Sequence, residues 1–154
     1  MRTFKKILFS HLIALIVIQF IQPARNINGP ASSTDLLNTF MVPEELQKIL
    51  TTSCYDCHSN NTNYPWYSRI QPFSWLLADH IRKGKSDLNL SEFGLYSSRR
   101  KITKLKGIEN SIKNGTMPLS SYTLMHKNAK LSKNEKALIL DWTSKVRDSL
   151  ENEK

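Results

Sequence analysis

Five consecutive residues, Cys54-Tyr55-Asp56-Cys57-His58, hold the densest set of reactive side chains in this 154-residue sequence. Cys-x-x-Cys-His is the attachment signature of c-type haem. Two thiols three residues apart can each form a thioether to one vinyl group of a porphyrin. The adjacent His58 is then held under the ring, where its imidazole can ligate iron from the proximal side. Cys54 and Cys57 are the only cysteines in the chain, so no structural disulfide competes for them. A zinc site would need two further ligands, and no second Cys-x-x-Cys is present. A dithiol redox pair expects a βαβ setting, which residues 43–70 do not offer.

An iron held by His58 needs a sixth ligand. Asn114-Gly115-Thr116-Met117-Pro118 supplies a candidate: a glycine stop, then a methionine held just before proline, makes a compact loop that presents a thioether. Met117 is therefore the expected distal ligand, with His80, Met125 and His126 as rivals. The stretch from Asn60 to Pro72 is a loop by its Asn and Pro content. It nevertheless carries Tyr64, Trp66 and Tyr67, which suits either the wall of a haem crevice or ordinary packing under the loop. On the crevice reading, Trp66 and Tyr67 line the cofactor and Arg69 lies near a propionate.

The elements that must position these groups read as helices. Pro43-Glu44-Glu45 suits a helix start, with proline in the first turn and acids that complement the helix dipole. Leu46, Ile49 and Leu50 then form an apolar stripe that runs into Cys54. Phe73 to Lys83 predicts a helix that Gly84 would end. Leu88 to Phe93 is a connector. Ile102, Leu105, Ile108 and Ile112 predict a helix from about Ser97 to Asn114, whose other face carries Arg99, Arg100, Lys101, Lys104, Lys106 and Lys113. Ser121 to His126 predicts a loop. Ser132 and Glu135 have the spacing of a capping box, which opens a last helix carrying Leu138, Ile139, Trp142 and Val146. The fold class is all-α.

Charge and the N-terminus bear on location. Twenty-two Lys and Arg against thirteen Asp and Glu leave a formal charge of +9, which favours an acidic redox partner or a membrane surface. Basic residues do not alternate with aromatics as on a nucleic-acid platform, so no nucleic acid is expected. Arg2, Lys5 and Lys6 precede an almost wholly apolar run over residues 7–21, the pattern of an export signal. No small-x-small cleavage site stands near Ala24, so residues 1–24 are read as a signal-anchor, with a cleaved signal peptide as the alternative. The anchor would contact the cytoplasmic membrane through residues 4–21 and place the body outside, as covalent haem attachment requires. Residues 25–40 read as a polar linker and residues 41–150 as the haem c-binding domain.

Together, the helix running into Cys54–His58, the Met117-Pro118 loop and the capped C-terminal helix resemble class I cytochromes c. Cys54–His58 with Asn60 to Trp66, Asp79-His80-Ile81, Leu88 to Phe93, Met117-Pro118 and Leu131 to Trp142 resemble, more closely, a small bacterial c-type haem-binding domain family. The resemblance covers residues 40–145. It implies covalent haem c, an all-α domain in the periplasm, Cys54 and Cys57 as attachment points, His58 as proximal ligand and Met117 as distal ligand. The long stretch between His58 and the next helices departs from the usual cytochrome layout. Two functions suit such a site. His/Met iron suits a one-electron carrier, not an enzyme. An iron with a displaceable sixth ligand would suit a sensor or a small peroxidase-like module.

Overall fold

A computed structural model describes residues 2–152, and all regular elements among them are helical. They are α1 (Arg2–Ile18), α2 (Leu36–Thr39), α3 (Glu44–Leu50), α4 (Asp56–His58), α5 (Phe73–Asp87), α6 (Ser98–Lys113), α7 (Ser120–Met125) and α8 (Lys133–Asn152). A π-helical turn, Thr51–Tyr55, joins α3 to α4 without a break, so the reactive motif closes one continuous helix. Short 3₁₀ turns span Trp66–Arg69, Leu90–Leu95 and Lys127–Ala129.

The core forms where α3, α6 and α8 meet. Leu46, Ile49 and Leu50 from α3 pack with Ile102, Leu105 and Ile112 from α6 and with Ile139, Trp142 and Leu150 from α8. Leu105 is fully buried. Phe40 stacks edge-on against both Phe93 and Trp142, at 6.0 and 6.3 Å between ring centroids. The Trp142 indole donates to the Met41 carbonyl, which ties the start of the domain to its last helix. On the far side of the α6–α8 contact, Arg147 pairs with the buried Glu109 at 2.5 Å.

Helix ends follow local chemistry. The Ser132 amide donates to Glu135 and the Glu135 amide donates to the Ser132 hydroxyl, a reciprocal capping box that starts α8. At the end of α6, Gly115 takes a positive φ of 66°. Its amide donates to Ile112 and the Thr116 amide donates to Ser111, the paired bonds of a Schellman motif. The chain leaves α6 in a fixed direction, straight into Met117-Pro118.

Several expectations are corrected. Helix α5 does not end at Gly84 but continues to Asp87, because Gly84 serves a close helix contact instead of a cap. Residues 120–125 are helical and not a loop. The stretch 25–40 is no free tether. The Asn26 side chain donates to the Ser59 carbonyl and to Thr62, Ile27 bridges to Asn61, and the buried Asp35 accepts from the Tyr55 hydroxyl. Finally, α1 is 17 residues long, and among the described residues no helix is long and apolar enough to cross a membrane. The helix stops at Ile18 because Gln19 and Gln22 turn to bond the body of the domain, so the signal-anchor reading of residues 1–24 as a span is not supported.

Truncating the fully buried Leu105 leaves a hole between α6 and α8. Leu105→Ala is expected to lower unfolding free energy by about 2–5 kcal/mol, measured by chemical denaturation.

Candidate functional site

The π turn decides which side chains of the motif face inward. Leu50, Cys54 and His58, four residues apart along the helix, line one cavity of about 290 Å³. The wide π turn aligns positions four apart and moves a position three apart off the stripe. Cys57 accordingly lies outside the cavity lining. It sits against α5, where a Cβ on Gly84 would come within 2.6 Å of the Cys57 carbonyl oxygen. Glycine at 84 is thus what lets α5 pass against the motif. Single π turns occur often at functional sites.

His58 is oriented from outside the motif. Its Nδ1 lies 3.0 Å from the Leu88 carbonyl oxygen. A carbonyl only accepts, so Nδ1 carries the proton and Nε2 keeps its lone pair for a metal. An imidazole whose other nitrogen bonds a carbonyl in this way is the usual form of a histidine ligand. Leu88 is itself held in place. The Asn89 amide group donates to Asn60, the Asn89 carbonyl oxygen of the side chain accepts from the Ser91 amide, and the Asn60 amide donates to the Ser91 hydroxyl. Residues 88–91, expected as a mere connector, thus carry the orienting group. Its acceptor is a backbone atom, so no side-chain type in the sequence could have marked it.

Across the cavity, α6 contributes Ile108 and Ile112, α8 contributes Ile139 and Trp142, and the loop after the Schellman turn contributes Met117 and Pro118. Lys104 is the cationic lining residue, with its amine 3.4 Å from Asp87. Met117 therefore shares one cavity with His58 and Cys54. The rivals do not: Met125 is exposed, His80 lies half-buried on α5, and neither lines this cavity.

His126 belongs to a different cluster. Its ring stacks on Tyr122 at 4.3 Å and its Nε2 lies 2.8 Å from the Tyr67 hydroxyl. The Tyr122 hydroxyl donates to Asp56 at 2.6 Å. Burial, then the bond to Asp56, pushes the Tyr122 phenol well above its ordinary range. The structure thus brings Tyr67 to His126 and not to the His58 cavity. Trp66 is exposed with its ring edge-on to Tyr67, and the Arg69 side chain is exposed as well. None of the three lines the His58 cavity.

The thiols are not poised as nucleophiles. Burial, with Cys57 close by, pushes Cys54 up to about 12. Burial, with the Asp56 carboxylate adjacent, pushes Cys57 up to about 11. Dithiol oxidoreductases depend on a thiol shifted the other way. Among the described residues, no group of three or more His, Cys, Asp or Glu is arranged to hold a metal ion.

Comparison with known proteins adds one finding. The sequence model of a family described as a haem-binding domain matches residues 13–145. No curated protein and no solved structure matches the chain.

A methyl group at position 84 would force α5 away from Cys57. Gly84→Ala is expected to cost about 1–3 kcal/mol of stability, read by chemical denaturation.

Proposed function

The chain belongs to the haem-binding domain family, and from that premise we propose that it carries c-type haem, that His58 and Met117 are the residues that would hold its iron, and that it works as a one-electron carrier at the outer face of the bacterial cytoplasmic membrane. One observation carries this reading: His58, with Nδ1 already engaged, shares an apolar cavity with Met117 and Cys54. The donor set fits haem. The His58 imidazole and the Met117 thioether would hold the iron, aliphatic and indole walls would suit the macrocycle, and Lys104, beside Asp87 in the lining, would be the cation nearest its acidic edge. When bound, haem supplies an iron that cycles between ferric and ferrous states.

The chain's own residues do the rest. Cys54, which lines the cavity, and Cys57, which lies beside it against α5, would be the residues that hold a c-type haem through thioethers to its two vinyl groups, each thiol adding across one vinyl double bond. The Leu88 carbonyl holds the His58 ring by its Nδ1 and leaves Nε2 as the nitrogen that would ligate iron. The Schellman turn fixes the backbone before Met117. His58 and Met117, both fixed by the fold, would move little on redox change of a bound iron, and methionine ligation would raise its potential. Cations left on α6, Arg99 among them, would steer an acidic redox partner with salt-sensitive rates. Lys106 and Lys113 on the same helix are already paired with Glu151 and Glu109, so this patch is smaller than the sequence suggested.

The alternative, a sensor or peroxidase-like module, needs a displaceable ligand and acid–base groups above the iron. His80 and His126, the histidines that could serve, lie outside the His58 cavity, so the carrier reading fits better.

Met117→Ala is expected to abolish the far-red methionine–iron band of the oxidised protein and to give a high-spin spectrum, checked by visible absorption after co-expression with a haem c maturation system. Survival of that band would remove Met117 as the ligand. His58→Ala is expected to reduce stable holo-protein to background, and normal haem retention would overturn the assignment of the motif.

A further inference from the structure

Helix α1 has no partner among the described residues: every residue from 2 to 17 is exposed, although residues 12–18, its last two turns, are apolar on every side. A helix that is apolar all round is buried either in a protein or in a membrane. At 1.5 Å per residue it is only about 25 Å long, and it does not end freely. The Gln71 amide donates to the Gln19 side chain at 2.9 Å, and the Gln71 side chain donates to the Ile21 carbonyl at 2.7 Å. The Trp75 indole donates to the same carbonyl at 3.0 Å. The Gln22 side chain donates to the Arg69 carbonyl at 3.1 Å and accepts from the Ser74 hydroxyl at 3.2 Å. Gln71 is almost wholly buried in this joint. A free tether would need none of these bonds.

Large apolar side chains surround the joint and face solvent. Phe20 is 83 % exposed, and Ile70, Phe73 and Leu76 are exposed on the body side. Trp66 is 78 % exposed one turn earlier. Trp75 presents its ring to the outside while its N–H is used in the joint. Aromatic rings with one polar edge collect at the membrane–water boundary, and the exposed Arg69 and Arg25 beside them match the phosphate layer of a bilayer.

We propose that residues 66–76 form a collar that lies in the interfacial layer of a phospholipid membrane, continuous with α1, and that the glutamine joint fixes the angle between the two. The occupant of this face is the bilayer itself. The collar sets how the domain stands on the membrane, and so which surface it turns to a redox partner. This rests on the membrane location proposed above and not on the haem assignment.

The test uses the full haem-loaded chain on vesicles of phosphatidylcholine and phosphatidylglycerol that contain a lipid with a photoreactive group near the glycerol. After illumination and trypsin digestion, label is mapped by mass spectrometry. The expected result is label in residues 7–25 and also in residues 70–82, the latter several-fold above the peptides of α6 and α8. Gln71→Ala is expected to cut label in residues 70–82 several-fold while residues 7–25 keep theirs. Label confined to residues 7–25 in the unmodified chain would overturn the collar and leave membrane attachment standing. Label in neither peptide would overturn both. Because the unmodified chain gives the deciding result, a poorly folding variant does not blunt the test.

Discussion

The hydrogen bond from His58 Nδ1 to the Leu88 carbonyl is the contact on which the rest of the site depends. Which nitrogen of a neutral imidazole offers its lone pair to a metal depends on the tautomer, and a backbone carbonyl selects it by accepting from the other nitrogen. That bond requires residue 88 to be at a fixed height beside α4. Asn60, Asn89 and Ser91 hold it there with hydrogen bonds across the gap. It also requires α5, which delivers the chain to Leu88, to run close to the motif. Gly84 permits that approach, since any side chain would strike the Cys57 carbonyl.

A second constraint acts from the opposite wall. The α6–α8 pair is held by buried aliphatics and by the Glu109–Arg147 bridge, and its rigidity is passed to Met117 through the turn at Gly115. Two independent local devices, a π turn in one helix and a Schellman turn after another, thereby aim Cys54, His58 and Met117 into one space.

The burial of the thiols belongs to the same picture. Desolvation lifts Cys54 and Cys57 above the ordinary thiol range, where little thiolate is present at neutral pH. The polar cluster of Tyr67, His126, Tyr122 and Asp56 packs against the outside of the motif and braces it. Its residues were legible in the sequence only as chemistry-bearing types. That they serve each other and not the cavity depends on how α7 returns over α4, which no local pattern encodes.

The sequence by itself determined the helical class, the stop at Gly115 and the capping box at Ser132, and it marked Cys54–His58 as the densest reactive cluster, because each depends on residues a few positions apart. It also singled out Met117, through a glycine and a proline that constrain its neighbours. Only the tertiary structure decided the partner of His58, the role of Gly84, and the exclusion of Trp66, Tyr67 and Arg69 from the cavity. The same holds for residues 25–40, which read as a linker by composition and are fastened by bonds to residues 55–62. These depend on backbone atoms and on close approaches between segments distant in the chain. Composition and periodicity record neither, since a carbonyl is present at every residue and a glycine looks the same whether it ends a helix or lets another pass.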